Sequence, residues 1–175
     1  MYPQSETSAR IACGTDKGRV LIVRLSSEGV IEADKEHFCM GGAINQLIWT
    51  PDGKALIALG EGAGAINPEN GHHVGDILGH TAKILCGVLN SEKVLFSAGE
   101  GNEILRHEGP PFKGQGRPIK NVHTGYINQM VLSPNGSKFA TVSADKSVGI
   151  YDAKTGEIIK HLPTGHTMGV YDLVW

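Results

Sequence analysis

Apolar residues come in short runs along this chain, and each run is closed by residues that make turns. In Ile127–Leu132 the side chains fall into two alternating sets. Ile127, Gln129 and Val131 form one, and Asn128, Met130 and Leu132 the other. A period of two belongs to a β-strand, whose successive side chains point to opposite faces. The next four residues, Ser133-Pro134-Asn135-Gly136, are a turn signal, and so are Thr50-Pro51-Asp52-Gly53 earlier in the chain. Proline presets φ and glycine accepts positive φ, so each quartet joins two strands. Leu89–Lys93 (LNSEK) does the same more briefly. Further on, Ser143–Ser147 (SADKS) turns the chain into Val148–Asp152, and Ala153–Glu157 (AKTGE) turns it into Ile158–Leu162. The pattern predicts four short strands in succession.

The succession repeats. AINQLIWTPDGKALIALGEG, from Ala43, returns as YINQMVLSPNGSKFATVSAD, from Tyr126. Between and after them, His80, His123 and His166 are spaced by 43 residues. His37 lies another 43 back, with three extra residues after it. Four strands in such a unit match a WD-type propeller blade of about 40–45 residues. Residues 43–79, 83–122 and 126–165 read as full blades, 9–36 as the second to fourth strands of another, and 169–175 as a lone first strand. The fold class expected is all-β, with about four four-stranded blades in a single partial or unusually closed propeller over 1–175. Such a chain is either a fragment of a longer protein or one that closes unusually. Complementary ends also predict a homodimer by strand exchange, since an exposed strand edge recruits another chain.

Composition narrows the function. Gly is 24 of 175 residues, about twice average usage, which fits many tight turns. A net charge of −2 argues against a nucleic-acid partner. The start of the chain has no basic or apolar stretch, and no window approaches a membrane span, so neither a signal peptide nor a membrane partner is expected. Cys13, Cys39 and Cys86 fit neither a disulfide framework nor a zinc site and are expected as small buried hydrophobes. A reducing compartment, the cytoplasm, follows.

The unit from residue 126 resembles the WD-repeat family most clearly. It has a histidine before the first strand, Asp145 in a turn, and Tyr151-Asp152 where the family has Trp-Asp. The resemblance implies a buried structural network of His123, Asp145, Ser143 or Thr141, and Tyr151. It makes His80, His123 and His166 structural. Other units are degenerate: one keeps Asp16 but carries Val23-Arg24 at the terminal pair, and another has Glu100-Gly101 near the turn and His107-Glu108 at the pair.

EGPPFK, from Glu108, lies outside the general WD pattern, and paired prolines place it in a loop or edge strand. With IWTPDGKALIALGEG, VGDILGH and IYDAKTGE in the same order, it is similar to the N-terminal propeller of the actin-interacting protein 1 family. That resemblance implies a non-enzymatic, cytoskeletal protein that binds actin and promotes filament disassembly with cofilin. It implies partner contacts at Glu100, Phe112, Lys113 and Tyr126. Gly114 stands where that family has a second aromatic, and an acidic residue is absent near Gly64. A generic WD-repeat scaffold is the alternative.

Other chemistry is weaker. Gly60–Gly64 (GEGAG) resembles a phosphate loop, but AINPENG after it is no helix start. His72-His73 lacks a third ligand at a useful spacing, so no metal or cofactor is expected. Arg106, His107, Lys113, Arg117 and Lys120 form a locally basic stretch, either a solvated face or a steering patch for an acidic partner. No nucleophile and base can be paired from sequence.

Overall fold

A computed structural model describes residues 9–26 and 28–175, and these residues hold fifteen strands and no helix. In chain order they are β1 (Ala9–Gly14), β2 (Arg19–Leu25), β3 (Ile31–Phe38), β4 (Ile44–Trp49), β5 (Leu56–Gly60), β6 (Ala63–Ile66), β7 (His73–Asp76), β8 (Ile84–Leu89), β9 (Val94–Gly99), β10 (Ile104–Glu108), β11 (Arg117–Pro118), β12 (Ile127–Leu132), β13 (Lys138–Ser143), β14 (Ser147–Asp152) and β15 (Ile158–Pro163). They form four antiparallel meanders: β1–β3, β4–β7, β8–β11 and β12–β15. The first sheet has three strands, and the other three have four. Each sheet packs on the next through β1, β4, β8 and β12, and the array does not close into a ring.

The turns explain the meanders. Gly53 and Gly136 sit at φ 64° and 69°, the left-handed region that glycine enters without a Cβ clash. Thr50 and Ser133 brace the same turns: the Thr50 hydroxyl meets Asp52 and the Ala55 carbonyl, and that of Ser133 meets Asn135 and the Lys138 carbonyl. In the third sheet Asn90 accepts from the Val94 N–H instead, and Lys93 takes the glycine's place at φ 62°.

The strict alternation expected in Ile127–Leu132 fails at one place. A β-bulge between Ile127 and Gln129 adds a residue, so Ile127 and Met130 share the buried face. The same irregularity lies between Ile44 and Gln46 and between Ile84 and Cys86. The bulged asparagines are used. Asn45 Nδ2 donates to the Ile84 carbonyl of the following sheet at 2.7 Å. Asn128 Nδ2 donates likewise to the Val170 carbonyl at 2.8 Å.

Apolar side chains pack between sheets. Phe96, Phe139 and Tyr151 join the third sheet to the fourth, with Phe139 and Tyr151 stacked at 4.9 Å. Ile57, Leu59, Leu95 and Phe112 join the second to the third, and Val20, Ile22, Leu56 and Ile66 the first to the second. Burying each large apolar side chain contributes about 1.5–3 kcal/mol. Residues 169–175 form no strand. Their start is nevertheless fixed on the fourth sheet, by Asn128 and by the Val170 N–H donating to the Ser143 carbonyl at 3.0 Å. Cys13 departs from the expectation of burial: it is exposed opposite Leu21, on the face of the first sheet that no described sheet covers. Cys39 is half-buried and Cys86 buried. Gly60–Gly64 is the β5–β6 turn.

Candidate interaction site

Beneath one end of the fourth sheet lies a polar network. His123 precedes β12, and its ring reaches back over β13 and β14. Its Nε2 meets the Thr141 hydroxyl at 2.6 Å, and its Nδ1 meets the Ser147 hydroxyl at 2.8 Å and Asp145 at 3.3 Å. Asp145 accepts from the N–H groups of Thr124 and Ser147 at 2.8 and 2.9 Å and from the Ser147 hydroxyl at 2.6 Å. Burial works to raise the Asp145 pKa. The Ser147 and Thr124 donors and the nearby His123 outweigh it and hold the carboxyl at about 2. The His123 pKa is lowered by burial, against an opposing pull from Asp145. Tyr151 is fully buried, its pKa pushed up to about 12 by that burial, and its hydroxyl donates to Asn121 at 3.3 Å. Thr141, not Ser143, meets the imidazole. Ser143 braces the turn, donating to the Gly125 carbonyl and accepting from the Asp145 N–H. Ser147 and Asn121 were not singled out from sequence. Asn121 stands two residues before His123 and accepts its N–H at 3.0 Å, an Asx turn whose signal is that spacing.

The third sheet builds the equivalent joint from other groups. Ser97 occupies the place of Thr141, His107 that of Tyr151 and Glu103 that of Ser147. The Ser97 hydroxyl lies between two imidazoles, 2.8 Å from His80 Nε2 and 3.0 Å from His107 Nε2. His80 Nδ1 faces Glu103 at 3.5 Å. One proton arrangement serves the whole row: His107 donates to Ser97, Ser97 to His80, and His80 toward Glu103. Desolvation holds both imidazole pKa values at about 4, aided at His80 by its neighbour His107, so both are neutral near pH 7. The fold has thus brought together a serine, a histidine and a carboxylate that no sequence spacing pairs. Ser97 is completely buried and engaged on both sides, so the arrangement joins strands and offers no nucleophile to a substrate.

Of the residues expected to touch a partner, Glu100 and Tyr126 lie at one end of the sheets. The Glu100 N–H donates to the Lys83 carbonyl just before β8, and the Ala144 N–H donates to the Tyr126 carbonyl just before β12. The two contacts are equivalent in consecutive sheets. Glu100 is exposed, and Tyr126 is 52% exposed. Phe112 and Lys113 belong elsewhere. They sit in the β10–β11 loop, at the opposite end of β10. That loop folds against the second sheet: the Phe112 carbonyl accepts from the Asp76 N–H, and the Gly116 N–H donates to the Leu78 carbonyl. Phe112 is 1% exposed, so its ring anchors the loop and offers no contact, while Lys113 is exposed. The four residues therefore do not form one surface.

His72 is exposed, and His73 faces Asp76 at 3.5 Å. Among the described residues no group of three His, Cys, Asp or Glu side chains could hold a metal ion. No helix in them is long and apolar enough to cross a membrane.

Meandering four-stranded sheets, one of them braced by a histidine before its first strand and a turn aspartate, define a WD-repeat protein, and the chain belongs to the WD-repeat family. Residues 116–152 match the WD domain, G-beta repeat, and residues 5–86 match the anaphase-promoting complex subunit 4 WD40 domain. Within that class it is homologous, over most of its length, to proteins named actin-interacting protein 1 and WD repeat-containing protein 1. It is 34% identical to Actin-interacting protein 1-2 of Arabidopsis thaliana over 170 residues, covering 92% of this chain and 27% of that protein. It is 34% identical to WD repeat-containing protein 1 of Gallus gallus over 179 residues, covering 94% and 28%. It is 30% identical to Actin-interacting protein 1 of Drosophila melanogaster over 155 residues, covering 81% and 25%. The chain thus spans about a quarter of the length of these relatives.

Proposed function

We propose that the chain is a non-enzymatic, cytoskeletal actin-binding protein that promotes cofilin-dependent filament disassembly. The observation that carries this reading is the 34% identity over 92% of the chain to a protein named as actin-interacting. The end bearing Glu100 and Tyr126 is the surface proposed for contact. An exposed tyrosine and a carboxylate at the same end of neighbouring sheets supply an aromatic anchor and a charge for a partner. Lys113, at the other end of β10, is a separate contact point. The test is cosedimentation with actin filaments, with and without cofilin. The chain should pellet with actin, and cofilin plus chain should leave less filament than cofilin alone. The Glu100→Ala/Tyr126→Ala double variant should lose both effects. A chain that never pellets with actin returns the reading to a WD-repeat scaffold for another complex.

A second reading, the strand-exchanged homodimer, draws on residues 169–175. They dock on β12 through Asn128 as β8 docks on β4 through Asn45, yet have no ladder of their own. β1 has no strand on its other side among the described residues. We infer that residues 169–175 of one copy pair with β1 of another. Light scattering after gel filtration tests it, and a mass of 18.6 kDa at every concentration would sink it.

A further inference from the structure

At the end of β10 away from the Glu100 turn, the β10–β11 loop encloses a pocket of about 110 Å³. Arg106, His107, Glu108, Phe112, Lys113 and Arg117 line it. The charges there are arranged against themselves. Arg106 and Arg117 are direct partners in the β10–β11 ladder, so their side chains leave the same face side by side. Like charges placed directly opposite each other in a sheet repel. Glu108 answers only part of this. It holds Arg106 Nη1, and its own side chain is 65% exposed and free to swing away. Arg106 Nε is buried and has no hydrogen-bond partner. Among the described residues neither Arg117 nor Lys113 forms an ion pair.

Three cations and one carboxylate leave a local charge of about +2, because burial keeps His107 neutral near pH 7. Two guanidinium forks and an ammonium line one small cavity. That set suits a compact anion of charge near −2 with several acceptor oxygens, which describes a phosphate group better than a carboxylate. Phe112 and the loop wall shield the site from bulk water on one side, which strengthens such contacts.

We propose that the pocket between Arg106, Lys113 and Arg117 binds a phosphate group, either free phosphate or a phosphate monoester on a partner's side chain. The site lies away from the Glu100–Tyr126 end and does not rest on the actin reading. Isotope-labelled full chain is titrated near pH 7.5, at constant ionic strength, with inorganic phosphate, with blocked phosphoserine and with acetate. Backbone amide signals are followed. Saturable shifts confined to residues 104–117 are expected for the two phosphates and not for acetate. Arg117→Gln and Lys113→Gln change exposed side chains, so the rest of the spectrum should stay in place. Each should weaken phosphate binding by about tenfold. Tighter binding of blocked phosphoserine assigns the phosphate to a partner's side chain, and tighter binding of inorganic phosphate assigns it to a free anion. Both results uphold the site. Shifts that fail to saturate, acetate shifts of equal size, or an Arg117→Gln chain that titrates like the parent would each overturn it.

Discussion

The third and fourth sheets close the same joint with different chemistry. In the fourth, one carboxylate gathers the donors: Asp145 takes two N–H groups, a hydroxyl and an imidazole, and Tyr151 fills the space beneath. In the third, no carboxylate sits at the centre. A serine hydroxyl is passed between two neutral imidazoles, and the acid lies at the edge. Both arrangements satisfy the polar groups that packing would strand. They differ in what breaks them. A network gathered on an anion fails when the anion is removed, and a row of neutral imidazoles fails when protons arrive.

The largest contrast is at the turn acid. Asp145→Ala leaves the Thr124 and Ser147 N–H groups without their acceptor, and should lower unfolding free energy by roughly 3 kcal/mol. Asp16 occupies the β1–β2 turn and is exposed, so Asp16→Ala should lose no more than about 0.5 kcal/mol. Urea unfolding of both chains checks this, and equal losses would remove the special standing of the fourth joint.

Acid should separate the two joints along the pH axis. His80 and His107 have folded-state pKa values of about 4, below the ordinary 6.5. The unfolded chain therefore takes up protons that the folded chain refuses. Stability is intact above pH 6.5 and falls as pH drops from 6.5 toward 4, by roughly 2–3 kcal/mol for each imidazole near pH 4.5. The fourth joint also loses stability in that window through His123, whose pKa burial lowers, but Asp145 opposes that shift, and the Asp145 contribution itself persists until pH falls from 3.8 toward 2. Imidazole signals for His80 and His107 should stay neutral above pH 5 in NMR. Titration of either near 6.5 would erase the contrast.

A smaller effect concerns the space each ring needs. A Cβ built on Gly149 would lie 2.7 Å from the Tyr151 ring and 2.8 Å from the Thr141 hydroxyl. Leu105 stands at the equivalent place in the third sheet, where the partner ring is the smaller imidazole of His107. Gly149→Ala should cost about 1.5 kcal/mol through overpacking, read as a lower urea midpoint with an unchanged slope. A neutral outcome would mean that ring size does not divide the joints.

The smallest effect lies at the other end of the same sheets. Lys93 holds the positive φ that Gly136 holds in the fourth. Lys93→Gly relieves that backbone and gives up the exposed contact to Asp52, 2.8 Å away. The balance should be a gain of under about 1 kcal/mol, seen as a slightly higher Tm. A clear loss would show that the Asp52 contact outweighs the turn.

Some of this was legible in the chain because the signal is local. Pro51-Asp52-Gly53 and Pro134-Asn135-Gly136 declare their turns, and the strands on either side follow. His123, Asp145 and Tyr151 were picked out by resemblance, and they meet in space. Thr141 was read as an alternative to Ser143 because both lie on one strand, and only the register decides between them. The Ser97–His107 contact joins different strands of a degenerate unit, where no spacing rule applies. The position of Phe112 could not be read either. Its loop takes its shape from the second sheet, through Asp76 and Leu78, far from it in sequence. The bulges were hidden because a single inserted residue leaves the composition of a strand unchanged.

The bulged asparagines also bear on how neighbouring sheets are coupled. Asn45 holds the first strand of the following sheet at Ile84, and Asn128 holds the segment after the fourth sheet at Val170. Val170 is held in this way although nothing after it is paired as a strand. Each of these bonds ties a sheet to the chain segment that packs against it. In a stack whose units touch only their neighbours, such bonds add to the coupling between adjacent units, so that a sheet loosened from its neighbour gives up a polar tie as well as apolar packing.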